Sequence, residues 1–185
     1  MDIDINSYER YLDGDDSAFA DIVREYADGL MLYINSFTRN IHIAEDLTEE
    51  VFFKLAVKKP HFRNQSSFKT WLYAIARHVA LDYLRKNSKV VNTSIDDLTN
   101  YIAEESNVER EYLIKEQKIA LHRTIRELKA EYFQVLYLVY FENFTNEEIA
   151  KIMKKNKRQI ENLIYRAKTA LKSELEKEGF EYEKL

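Results

Sequence analysis

The chain has 185 residues, 45% hydrophobic and 13% aromatic, enough for one domain core or two small ones. Three Gly and one Pro leave little material for tight turns, so a nearly all-helical chain is expected, and the lack of Cys excludes disulfides, thiolate chemistry and a cysteine zinc site. The net charge of −4 hides a strong segregation of sign.

Residues 1–28 hold nine acids against two bases and no apolar signal core, so a cytoplasmic protein is expected. The most apolar stretch, 132–141, is far shorter than the roughly 18 residues a membrane span needs. Helical periodicity starts at Ser17: Phe19, Ile22, Val23, Tyr26, Leu30, Tyr33, Ile34 and Phe37 predict a helix over 17–39. Ala44, Leu47, Val51 and Leu55 predict a second over 44–57. Opposite that stripe lie Asp46, Glu49, Glu50 and Phe53. An aromatic residue among carboxylates suits a protein interface, and it suits equally a Phe53 packed against a third helix.

A polar loop over 58–67, KKPHFRNQSS, carries one aromatic, Phe62. The helix predicted over 67–86 has the stripe Phe68, Leu72, Ile75 and Val79, with Tyr73, Leu81 and Leu84 off it. Such a helix is packed on two sides. Arg77, Arg85 and Lys86 make its C-terminal part positive. Basic and amide side chains around aromatics suit single-stranded DNA, where bases stack and phosphates need cations. Phe62 and Trp71 are the stacking candidates, and a Trp71 buried in the core fits the pattern equally.

Over 87–106 the period fades into Asn, Ser, Thr and Asp, which predicts a linker. Helices are then expected over 108–128, 131–141, 146–153 and 157–178. The last two carry the most specific signal. Thr145 and Glu148 have capping-box spacing, Lys154, Lys155 and Asn156 form a break, and Asn156 and Gln159 repeat the cap signature. A short helix, a turn and a longer capped helix fit a helix-turn-helix, whose second helix enters the DNA major groove. On that helix Ile160, Leu163, Ile164, Ala167 and Leu171 form one stripe, with Arg158, Asn162, Tyr165, Arg166 and Thr169 roughly opposite. Residues 151–172 hold eight Lys or Arg against one Glu, a concentrated positive segment of the kind phosphate binding needs.

With these residues in view, the chain resembles the bacterial extracytoplasmic-function (ECF, group 4) sigma factors of RNA polymerase. AEDLTEEVFFKL (44–55) resembles the family's polymerase-clamp motif, FKTWLYAIARHVALDYLRK (68–86) its promoter-melting and −10 element helix, and FTNEEIAKIMKKNKRQIENLIYRAKTALK (144–172) its −35 element helix-turn-helix. The resemblance implies an all-α fold with two small helical domains, 1–87 and 108–185, joined by a flexible linker over 88–107. It implies that Asp46, Leu47, Glu49, Glu50 and Phe53 bind core polymerase. Phe62, Arg63, Asn64, Trp71, Arg77, His78, Asp82 and Arg85 would hold the opened −10 strand. Lys157, Arg158, Gln159, Asn162 and Arg166 would read the −35 element. The implied partners are core polymerase, promoter DNA and an anti-sigma factor, with no cofactor, no metal and no small-molecule substrate. Three positions depart from the family pattern: Glu49 stands where Gln is frequent, His78 where Asn is usual, and Lys154 at a turn position where Gly is common, which calls for a positive φ there or another turn shape.

Two rival readings remain. One is a two-domain helix-turn-helix regulator that is not a polymerase subunit. The other is an enzyme, disfavoured because His42, His61, His78 and His122 are scattered and no glycine-rich phosphate loop exists.

Overall fold

The computed structural model describes residues 3–87, 124 and 127–177, and all regular structure among them is helical. The linker expected over 88–107 and the helix expected over 108–128 lie outside the described residues, apart from Thr124, Glu127 and Leu128. Four helices form the N-terminal lobe: α1 (Ile3–Leu12), α2 (Asp16–Thr38), α3 (Ile41–Lys58) and α4 (Phe68–Asn87). Three form the C-terminal lobe: α5 (Ala130–Tyr140), α6 (Asn146–Met153) and α7 (Lys157–Lys177).

Side-chain caps explain several boundaries. The Asp15 carboxylate accepts the Ser17 N–H at 3.1 Å and opens α2, and Arg39 closes it in the left-handed region at φ 52°. The second predicted helix starts earlier than its apolar stripe, at Ile41, because Asn40 Oδ1 accepts the N–H groups of His42 and Ile43 at 3.0 and 3.2 Å. Helix α1 was absent from the sequence reading. It is secured by Tyr8 and Tyr11, both buried, spaced to lie on one face.

Ile22, Leu30, Ile34, Val51, Leu55, Phe68 and Leu72 fill the N-terminal core, and Leu136, Leu138, Ile149, Ile160 and Ala167 fill the C-terminal one. Each of the large side chains among them contributes roughly 1.5–3 kcal/mol by leaving water. The two cores are continuous, because α2 packs on α5 and α4 packs on α6. Tyr33 and Tyr137 stack with ring centroids 6.3 Å apart, and Tyr73 meets Phe144 edge-on at 5.0 Å. Helix α4 is therefore packed on two sides, as its wide apolar surface requires.

Gly29 permits this approach in the middle of α2. A Cβ there would lie 2.5 Å from the Tyr73 hydroxyl and 2.7 Å from Glu142 Oε1. The Tyr137 hydroxyl shares its proton between the Gly29 carbonyl at 3.2 Å and Glu142 at 3.0 Å, while Lys69 pairs with Glu142 at 2.9 Å. Burial pushes the Tyr73 and Tyr137 hydroxyls far above the ordinary phenol range, and the Glu142 carboxylate adds to the rise. Both stay neutral at any physiological pH.

Candidate nucleic-acid and polymerase interfaces

The helix-turn-helix forms as its caps dictate. Thr145 and Glu148 complete a reciprocal capping box on α6. Lys154 sits at φ 54° in the left-handed region, so the turn keeps its expected shape with Lys in place of Gly, at a cost of about 1 kcal/mol. The Lys155 N–H bonds the Ala150 carbonyl at 3.0 Å and satisfies the α6 end. At the start of α7, Asn156 Oδ1 accepts the Gln159 N–H at 2.8 Å and Gln159 Oε1 accepts the Asn156 N–H at 2.9 Å. The Gln159 oxygen is thus engaged in the cap, which leaves its amide N–H groups free to face a ligand.

Ile160, Leu163 and Ala167 turn inward, whereas Arg158, Asn162, Tyr165 and Arg166 are exposed on one open face. Tyr165 is 73% exposed, an aromatic surface set among cations. Lys157 is also exposed but paired with Glu147 of α6. That hydrogen bond lowers the Glu147 carboxyl below its usual range and raises the Lys157 ammonium.

The second surface is built around the loop between α3 and α4. A cavity of about 450 Å³ opens there, lined by His61, Phe62, Arg63, Ser66, Trp71 and, from α6, Lys151. Phe62 and Trp71 have ring centroids 5.2 Å apart. Trp71 is half-buried: it packs on Phe68 at 5.7 Å and lines the cavity. Asn64 turns the loop at φ 53°, and Arg63 and Asn64 are exposed. Helix α6 reaches over this region. Glu148 Oε1 accepts hydrogen bonds from the Ser67 and Thr70 hydroxyls at 3.2 and 3.1 Å, and the Lys151 ammonium donates to the Gln65 carbonyl at 2.8 Å. Burial pushes the Glu148 carboxyl up, but hydrogen bonds from Thr145, Thr70 and Ser67 together hold it below the usual range.

Further along α4 the structure regroups the expected strand contacts. Asp82 pairs with Arg85 and lies 3.2 Å from the His78 ring nitrogen, so these three side chains form one polar cluster. Arg77 is half-buried, and its Nε is enclosed without a hydrogen-bond partner among the described residues.

The third surface is on α3. Asp46, Glu49 and Glu50 are exposed and Phe53 is 64% exposed, which overturns the alternative of a Phe53 packed on a third helix. Leu47 is corrected in the other direction: at 6% exposure it supports this face from the core. Val57, one turn beyond Phe53 and 63% exposed, extends the apolar centre of the patch. The sequence reading missed it because it follows the last stripe residue, Leu55.

The chain matches Sigma-70 region 2 over residues 22–90 and Sigma-70 region 4 over 118–171. It is 30% identical over 172 residues to the ECF RNA polymerase sigma factor SigW of Bacillus subtilis (strain 168), covering 88% of this chain and 91% of that one. It is also 30% identical over 178 residues to the RNA polymerase sigma-H factor of Pseudomonas aeruginosa, covering 91% of each. The chain belongs to the ECF sigma factors of RNA polymerase. Among solved structures, the sigma factor RpoE in complex with the anti-sigma factor NepR from Bartonella quintana shares the fold, with TM-score 0.67 and 20% identity over 85% of this chain and 96% of that one. CnrH in complex with the cytosolic domain of CnrY aligns with TM-score 0.66 and 18% identity over 95% of this chain and 98% of that one.

In this sigma factor the region 2 match runs from within α2 through α4, and the region 4 match takes in α5, α6 and most of α7. Helix α1 lies outside both. Among the described residues no helix is long and apolar enough to cross a membrane.

Proposed function

We infer that this sigma factor directs core RNA polymerase to specific promoters and helps open the −10 element, without covalent chemistry of its own. The observation that carries the reading is the open face of α7, where Arg158, Asn162 and Arg166 stand exposed on a doubly capped helix-turn-helix. Arginine pairs with guanine and asparagine with adenine through major-groove edges, which suits this face to duplex −35 DNA.

The acidic face of α3, with Phe53 and Val57 at its centre, is assigned to core polymerase. Exposed aromatic anchors ringed by charge are what protein interfaces use. The loop cavity lined by Phe62, Arg63 and Trp71, with exposed Asn64 at the adjoining turn, is assigned to an unstacked −10 base. Extruding that base costs a few kcal/mol, which stacking and cationic contacts offset. The domain limits 1–87 and 108–185 follow this division, and the polar stretch between them joins the two. Two weak DNA modules on one polymerase gain affinity through effective concentration. An anti-sigma factor is a further partner, supported by the complexes in which the RpoE and CnrH structures were solved. The working compartment is the cytoplasm, where polymerase and promoter are.

Transcription in vitro with core polymerase on a randomised promoter pool tests the assignment. Enrichment of one −35 and one −10 sequence is expected. Failure to start RNA at any defined site would overturn it.

A further inference from the structure

The loop proposed to capture a −10 base is poorly held by its own backbone. Among the described residues no backbone–backbone hydrogen bond involves residues 60–66. On the C-terminal side its tie is the Lys151 bond to the Gln65 carbonyl, which requires the lobes to be closed. On the other side stands α1. The Tyr8 hydroxyl donates to the Pro60 carbonyl at 2.9 Å, at the start of the loop. Its ring lies 5.3 Å from Phe68 and 5.5 Å from Trp71, and Trp71 in turn packs on Phe62. Tyr8 is 1% exposed, and burial pushes its hydroxyl up to about 12, so it remains a donor throughout the physiological range.

We propose that α1 braces the base-capturing loop, and that Tyr8 is a positioning residue for −10 strand recognition through the Pro60 carbonyl and the Phe62–Trp71 pair. This rests on the capture role given to the loop above. It goes beyond the Sigma-70 region 2 match, which begins at residue 22 and excludes α1. Its consequence is a division of support. In the closed form the loop is held from both sides, and once the lobes part the α1 tie is what keeps the cavity shaped. A preshaped cavity binds more tightly than one that must be ordered on binding.

Tyr11 supplies a matched control. It makes the same kind of bond one turn away, from its hydroxyl to the Ala56 carbonyl at 3.1 Å, but Ala56 belongs to α3 and not to the loop. The test uses full-length Tyr8→Phe and Tyr11→Phe proteins assembled with core polymerase. Binding is measured to a fork-junction template, single-stranded over a −10 element selected from a randomised pool. Tyr8→Phe should weaken fork binding about fivefold relative to Tyr11→Phe, the worth of one hydrogen bond. It should leave core association and −35 duplex binding in place, and hydrogen exchange of amides 61–66 should quicken in Tyr8→Phe alone. Equal fork affinities and equal exchange in the two variants would overturn the proposal. An Arg63→Ala/Asn64→Ala protein separates the two levels. If it loses fork binding while Tyr8→Phe does not, the bracing role fails and capture stands. If it binds the fork normally, the capture reading falls and the bracing role with it.

Discussion

The two surfaces assigned to DNA are held in contrasting ways. The α7 face is formed by its own helix-turn-helix: the caps at Thr145 and Asn156 set both helices, and the readout side chains stand free. The loop cavity is formed by parts distant in sequence, with Lys151 reaching back 86 residues to Gln65 and Tyr8 reaching forward 52 to Pro60. With the lobes packed together, the first surface stays open and Lys151 lines the second. A face made of local structure keeps its shape in any arrangement of the lobes. A cavity made of tertiary contacts changes with them.

The largest effect should come from breaking the open face. Arg158→Ala is expected to cost about 1–3 kcal/mol, roughly fivefold to 150-fold, in −35 duplex affinity while lobe packing is unchanged. A gel-shift titration against the selected promoter checks it, and unchanged affinity would remove α7 from the readout. Next comes Glu142→Ala, which removes the Lys69 ion pair and an acceptor of the Tyr137 hydroxyl. About 1–3 kcal/mol of lobe docking should be lost, and fork-template binding should rise as the open population grows. The chain has no native Cys, so Glu45→Cys and Ser173→Cys allow clean labelling for a distance measurement. An unaltered distance distribution would show that this contact does not hold the lobes.

Lys151→Ala is a finer cut. It removes one hydrogen bond to the loop, about 0.5–1.5 kcal/mol, and should raise fork affinity by a few fold while −35 binding falls little. A fall in fork affinity would instead make Lys151 part of the capture site. Acid gives a smaller, continuous version. Glu148 has its carboxyl depressed in the folded chain, so its contribution is complete above the unfolded value of 4.5 and fades as pH falls through the lower folded value. The lobe distance should stay constant from pH 7 to about 5 and lengthen only below the usual carboxylate range. Opening between pH 7 and 5 would point to a different group. The smallest effect is expected from Glu147→Gln, which frees Lys157 from an exposed ion pair and should slightly strengthen salt-sensitive DNA binding.

Much of the C-terminal surface was legible beforehand because its determinants are close in sequence. Capping boxes span three residues and the α7 stripe repeats every three or four, so residue types alone placed Arg158 and Asn162 outward and Ile160 inward. Lys154 shows the same rule, since a turn between two capped helices leaves it the left-handed region whatever its side chain. The N-terminal half was harder. Helix α1 was missed because its two buried tyrosines lie in an acidic segment without a long apolar repeat. Phe53 was ambiguous because periodicity gives an angle around a helix and not what stands opposite. Leu47 is buried as its place in the apolar stripe requires, and Val57 lies beyond that stripe.

The amino-acid order by itself determined the strongly periodic helices, the two caps of the helix-turn-helix, the cationic face of α7 and the resemblance to a polymerase-subunit family, since caps and stripes depend on neighbours within a turn or two. Only the tertiary structure decided that the lobes share one core across Gly29, that α6 packs over the loop between α3 and α4, and that Tyr8 bonds the Pro60 carbonyl of that loop. Those contacts join residues 50 to more than 100 positions apart, and no local propensity encodes a distance that the whole chain must fold to create.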